Sequence, residues 1–154
     1  MFIYKLVKKL AENNIEYAIA GGYAVAFHGA VRGTVDIDLI IKLEKESFLK
    51  IEKTLEQIGL QSRLPIKAEE VFNFREEYIN NRNLIAWNFI NLNNPIESVD
   101  ILLLEDLKKF KTININSNNN ILKVVSMNDL IKMKKRSGRP QDIEDIKILR
   151  SLKQ

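Results

Sequence analysis

Residues 20–41, AGGYAVAFHGAVRGTVDIDLII, hold a paired glycine and a paired aspartate within one strand–turn–helix–strand frame. The apolar run Ala18-Ile19-Ala20 stops at Gly21-Gly22, and Tyr23 to Gly29 follows with Ala, Val and Phe on one helical face. After a turn at Gly33, Val35-Asp36-Ile37-Asp38-Leu39-Ile40-Ile41 alternates and then becomes wholly apolar, which predicts a strand. On a strand, residues i and i+2 point to one face about 7 Å apart. Asp36 and Asp38 are therefore expected side by side, where two carboxylates repel unless a cation sits between them. The glycines permit a sharp turn and the close approach of a ligand. The helix opening behind them offers free N–H groups and a positive dipole end to a phosphate. Two carboxylates supply the oxygen ligands that Mg²⁺ takes, with water and phosphate oxygens completing its shell. The pattern predicts phosphate and divalent-cation chemistry.

Two later blocks extend it. Ser98-Val99-Asp100-Ile101-Leu102 places a third carboxylate in another apolar run. Asp129-Leu130-Ile131-x-Met133-Lys134 is followed by Gly138-Arg139-Pro140-x-Asp142-Ile143-x-Asp145-Ile146. Together with Gly21-Gly22, His28-Gly29, Arg32, Thr34 and Asp36-Ile37-Asp38-Leu39, these blocks resemble the nucleotidyltransferase superfamily typified by DNA polymerase β and the minimal nucleotidyltransferases. The string looks closest to the AbiEii-like, toxin-associated branch, and the likeness spans residues 17–152. It implies an α/β (α+β) nucleotidyltransferase fold, a small mixed β-sheet flanked by helices with a C-terminal helical pair.

The resemblance also implies a chemistry. Asp36, Asp38 and Asp100 would be the catalytic carboxylates and would hold two Mg²⁺ ions, for which Mn²⁺ can stand in. Gly21, Gly22, Lys134, Arg32 and Arg139 would bind the NTP, with Lys134 offsetting charge on the leaving pyrophosphate. The acceptor would be a hydroxyl of RNA, a tRNA end included, or of a protein. The biological setting would be the toxin of a toxin–antitoxin or abortive-infection system with a cognate antitoxin. AbiEii-type toxins carry a larger helical region, so this chain would be a minimal form, a partner-dependent one or a homodimer. Gln141 departs from the basic residue of the pattern. The competing reading is a catalytically silent member acting as an antitoxin-like binding module. Three mutually repelling carboxylates argue against it, because a pure binding surface gains nothing from them. A simple nucleic-acid-binding domain lacks any recognised reading motif.

Several of these residues also have plain structural readings. Lys132, Lys134, Lys135, Arg136 and Arg139 read by themselves as a solvated helix end, where cations favour the C-terminal dipole. Asp142 and Asp145, three apart on one helix face, either orient those cations or decorate the surface. His28 on a mostly apolar helix reads as a packed, hydrogen-bonded residue. Arg32 either holds the turn before the aspartates or reaches a phosphate with its planar fork. Trp87 and Phe89 read as core.

Composition bounds the rest. At 154 residues the chain is expected to be a single nucleotidyltransferase domain, with sheet and helices over 1–125 and C-terminal helices over 126–154. No cysteine is present, which excludes disulfides and thiolate metal sites, and one histidine excludes a His/Cys zinc cluster. No apolar run approaches the ~18 residues of a membrane span, and the N-terminus lacks a signal-peptide pattern. A cytoplasmic protein without a membrane partner is expected. The net charge of +4 suits polyanionic partners. Along the chain, periodicity predicts helices over residues 2–12 and 45–58, strands over 17–20, 34–42, 84–92 and 98–104, and a hairpin over 113–125. A final helical pair starts at Ser126, whose Asp129 three positions on approaches a capping box. Residues 65–83 fit either a helix or a mobile surface segment.

Overall fold

The computed structural model describes residues 1–153. Phe2–Glu12 (α1) forms because Ile3, Leu6, Val7 and Leu10 recur at helical spacing, and all four are buried. Ala18–Ala20 (β1) runs straight into Gly21–Phe27 (α2), and Ile37–Ile40 (β2) pairs antiparallel with β1. Lys45–Gln57 (α3) buries Phe48, Ile51 and Leu55. Gln61–Ser62 (β3), Ala68–Asn73 (α4), Arg75–Arg82 (α5), Ala86–Ile90 (β4) and Ser98–Leu102 (β5) follow. Thr112–Ser117 (β6) and Asn120–Val125 (β7) form a hairpin, and Met127–Ser137 (α6) and Pro140–Leu152 (α7) close the chain. The seven strands make one mixed sheet in the order β3-β4-β5-β2-β1-β7-β6, with β2–β5 and β1–β7 parallel.

One face of this sheet is apolar. Ile37, Leu39, Trp87, Phe89, Val99 and Ile101 are buried and alternate with the polar positions Asp38, Asn88 and Asp100. Trp87 stacks 6.2 Å from Phe48 and lies 4.5 Å from Phe89 between ring centres. The two aromatics fill the core, as their apolar neighbours predict. Each fully buried side chain of this size contributes about 1.5–3 kcal/mol of transfer free energy, so this apolar face anchors the strands whose other face carries the aspartates.

One expectation needs correction, and one left open is decided. The second strand is Ile37–Ile40 and not 34–42, so Asp36 lies in a bend ahead of it and is exposed. Residues 65–83 form two short helices: α4 buries Ala68 and Val71 and sets Phe72 edge-on to Phe48, whereas α5 buries nothing. The two-residue strand β3 escaped the periodicity argument because two residues carry no period. The hairpin turn falls at Asn118-Asn119, both at positive φ, as a two-residue turn of matching twist requires.

Candidate active site

Strand register gathers the polar positions into one row. Ala20 is opposite Asp38, Asp38 opposite Asp100, and Asp100 opposite Asn88. Residues directly opposite share a face, so the row crosses β1, β2, β5 and β4 and ends at the turn that begins α2. Gly21 sits at that turn with φ +62°, and a Cβ on it would fall 1.8 Å from Asp38 Oδ2. A Cβ on Gly22 would fall 2.8 Å from Thr34 Oγ1 and 3.0 Å from Arg32 Nη1. Both glycines are thus required by close approach: Gly21 by the carboxylate, Gly22 by the loop that delivers Asp36. That loop is held by Arg32 Nη1 donating to the Gly33 carbonyl at 3.0 Å. His28 Nε2–H donates to the Val125 carbonyl at 2.8 Å, so His28 has the structural role its apolar helix face predicts.

The row carries unbalanced negative charge. Burial pushes the Asp38 carboxyl up to about 7, helped by repulsion from Asp100 and Asp36 and opposed by Lys134 and Arg139. Burial also raises Asp100, against the hydrogen bond that Asn88 Nδ2 donates to its Oδ1 at 2.7 Å. The same Asn88 Nδ2 donates to Ser98 Oγ at 2.9 Å, which leaves Asn88 Oδ1 buried without a partner among the described residues.

Beside the row lies a second cluster of charge, from α6, α7 and the Arg32 loop. Lys134 Nζ donates to Asp145 at 2.8 Å and to Asp142 at 3.4 Å, and all three residues are buried. Asp145 also accepts from Arg32 Nε at 3.1 Å and from Gln141 Nε2 at 3.1 Å. Asp142 accepts from both the backbone and the guanidinium of Arg139, closing a cap at the start of α7. Burial works to raise both carboxyls, but these donors prevail and hold Asp145 low and Asp142 at about 2. Lys134 is therefore no part of a solvated helix end. It is the buried centre of an ion-pair network, only 6% exposed.

The sequence matches, over residues 2–151, the model of a family described as a nucleotidyltransferase of unknown function, DUF6036. The chain belongs to this nucleotidyltransferase family. No curated protein matches it in sequence. Among solved structures it is similar to the lincosamide antibiotic adenylyltransferase LnuA, with a TM-score of 0.64–0.66 shared by that enzyme (0.66) and the antibiotic-resistance factor ANT(2'')-Ia (0.64). Identity to LnuA is 16% over 98% of this chain and 96% of that one. Identity to ANT(2'')-Ia is 15% over 96% and 80%. An antigenic nucleotidyltransferase-like protein from Paracoccidioides brasiliensis aligns with a TM-score of 0.59, 20% identity, and 94% and 71% coverage.

In this nucleotidyltransferase the donor set suits a hard divalent cation. Among the described residues no three acidic or imidazole side chains are drawn tightly enough to close around an ion. Asp38 and Asp100 are nevertheless register partners, both raised first by burial and second by repulsion from neighbouring aspartates; a bound cation would offset both effects, and their oxygens are the ligand type Mg²⁺ takes. Of the residues singled out in the sequence, register brings Asp38, Asp100 and Gly21 together, with Asp36 at the rim. Arg32, Lys134 and Arg139 stand in the ion-pair network, and Lys134 and Arg139 act on Asp38 from there. Neither Asn88 nor Arg63 stands in the motif blocks of the sequence. An asparagine among Trp and Phe in an otherwise apolar strand was the available signal for the first.

Proposed function

We propose that this enzyme moves an NMP from an NTP to an acceptor hydroxyl, with Mg²⁺ as its metal. The supporting observation is the row itself: Asp38 and Asp100 side by side, desolvated, and left with more negative charge than nearby cations offset. Asp36, Asp38 and Asp100 would hold two Mg²⁺ ions, which when bound neutralise charge on the attacking and leaving oxygens of an in-line displacement. Gly21 and Gly22 present backbone N–H groups to the triphosphate. Lys134 and Arg139 set a positive potential beside Asp38, and Arg32 pins the loop that carries Asp36 to α7 through Asp145. Asn88 occupies one oxygen of Asp100, leaving the other free to take the acceptor proton. The acceptor oxygen then forms a bond to the α-phosphorus while the bond to the β-phosphate oxygen breaks, and pyrophosphate departs.

ATP is the donor to test first, since LnuA is an adenylyltransferase and ANT(2'')-Ia has been seen with adenylyl-2''-tobramycin. What supports a toxin of a cytoplasmic toxin–antitoxin pair, acting on RNA or protein, is the likeness of the motif blocks to the AbiEii-like branch. The test is incubation of the purified chain with each α-labelled NTP, Mg²⁺ and cell lysate. A labelled macromolecule or small molecule that depends on Asp38 and Asp100 supports the reading. No label with any of the four nucleotides contradicts it.

A further inference from the structure

The carboxylate row does not end at Asn88. β3 pairs antiparallel with β4, Ser62 opposite Phe89, and the backbone N–H of Arg63 donates to the Asn88 carbonyl at 2.9 Å. Arg63 is therefore the next register position after Asn88, about 10 Å in backbone terms from Asp100 at ordinary strand spacing. The short strand is fixed there by the Trp87 indole N–H, which donates to Ser62 Oγ at 3.0 Å. The Arg63 side chain is exposed, and its charge acts on Asp100 in opposition to burial.

Three cations reach the row, and they differ in one respect. Lys134 and Arg139 act on Asp38 and are both engaged by Asp142, Lys134 by Asp145 as well. Arg63 makes no ion pair and no side-chain hydrogen bond among the described residues. Its position is also opposite theirs. The glycine turn, where the triphosphate would sit, lies at the β1 end of the row, and Arg63 lies at the β3 end, beyond the carboxylate that faces the acceptor. A guanidinium held by its backbone, exposed and uncommitted, presents a planar fork matched to a phosphate.

We propose that Arg63 binds a phosphate carried by the acceptor, next to the hydroxyl that receives the nucleotide. The acceptor is then a phosphate-bearing molecule, either an RNA 3′ end or a phosphorylated small molecule. A cationic acceptor would meet an unpaired like charge at the mouth of its own site. The inference rests on the transfer reading above and names the substrate class of that same site. The net charge of +4 acts in the same direction.

The experiment divides the lysate into total RNA, protein and small-molecule fractions and offers each to the enzyme with labelled NTP and Mg²⁺. The label is expected in the RNA fraction or in a phosphorylated small molecule, the fraction telling the two sources apart. With the labelled fraction as acceptor, Arg63→Gln should raise the KM for acceptor about tenfold or more, the scale of one lost charge-assisted contact. The KM for NTP should stay within about twofold, and Arg63→Lys should recover part of the loss. If the acceptor is RNA, Arg63→Gln should also flatten the dependence of log KM on log salt by about one ion's worth. Label confined to protein or to a cationic small molecule overturns the proposal. So does an unchanged acceptor KM, or a change confined to turnover or metal affinity, which would make Arg63 a counter-charge for the carboxylates. Absence of any transfer by the wild type is a different failure, because it removes the transfer reading itself.

Discussion

Two neighbouring sets of aspartates in this enzyme have opposite electrostatic character. In the α6–α7 network, three cations surround two carboxylates, and both carboxyls are held below their ordinary range. In the strand row, the carboxylates have one amide donor between them and are pushed up, Asp38 to about 7. The network's carboxylates are offset within the protein, and the network holds α7 to α6 and to the Arg32 loop. The row is unbalanced, and in the ligand-free protein Asp38 is relieved by holding a proton up to about pH 7. Asp142 and Asp145 are buried and Asp38 and Asp100 half-buried, so all four lose hydration and desolvation alone does not distinguish the two sets. What separates these two sets is the balance of donors: hydrogen-bond and cationic partners outweigh burial at Asp142 and Asp145, and do not at Asp38 and Asp100.

The largest effect expected from breaking this comparison lies in the network. Asp145→Ala leaves Lys134 and Arg32 without their shared partner, and uncompensated buried charge costs about 3–5 kcal/mol. Chemical denaturation should register that loss, with Asp145→Asn less damaging. Lys134→Ala is expected to be similarly costly, contrary to the near-neutral change a solvated helix end would give. A loss under about 1 kcal/mol for both would show that the network is worth no more than a surface ion pair.

Next in size is a change in the row that spares binding. Asp100→Asn should reduce NMP transfer by at least about a hundredfold, the scale lost when one charge-stabilising group leaves a transition state. Its affinity for Mg-NTP should stay within about tenfold of wild type by titration calorimetry. Equal losses in binding and turnover would place Asp100 on the nucleotide side.

Much of this contrast was legible in the sequence, for identifiable reasons. Gly21-Gly22, Asp36-Ile37-Asp38 and the apolar-flanked Asp100 are local patterns, and strand pairing then brings two of them into register. The α6–α7 network was not legible in the same way. Arg32 and Asp145 are 113 residues apart, and no local pattern announces their bond. The buried stripe of α7 is Asp142, Asp145, Ile146 and Leu149, a helical spacing in which two of four positions are aspartate, so hydropathy does not mark it as a core face. Lys134 looked solvated because its neighbours Lys132, Lys135 and Arg136 are charged and exposed, whereas its own face of α6 turns inward. Alternation through Val35 predicts a strand at Asp36, but Val35 is exposed and pairing begins only at Ile37.

The two regions also respond to pH in opposite directions. Asp38 titrates near 7 when folded and near 3.9 when unfolded. The folded state therefore holds the extra proton between those values, and ligand-free stability falls as pH rises from about 4 to 7. Asp142, at about 2 when folded, adds stability above about 4 that is lost as pH falls toward 2. Melting temperature of the ligand-free enzyme should thus be higher near pH 5 than at pH 8, and fall again below pH 4. A flat profile between pH 5 and 8 would contradict the unbalanced row.

The smallest effect is the most direct test that the row awaits a cation. Asp38→Asn removes the most strongly perturbed charge while keeping the side chain's shape. Melting curves of wild type and variant at pH 8, each with and without Mg²⁺ and a non-hydrolysable NTP, separate the two sides of the claim. The ligand-free variant is expected to melt at or a few degrees above wild type, because a repelled, desolvated carboxylate has gone. The rise that Mg-NTP gives the wild type by linkage should be absent in the variant. A variant that melts well below wild type, or that keeps the full Mg-NTP shift, would contradict the assignment of Asp38 to the metal and nucleotide.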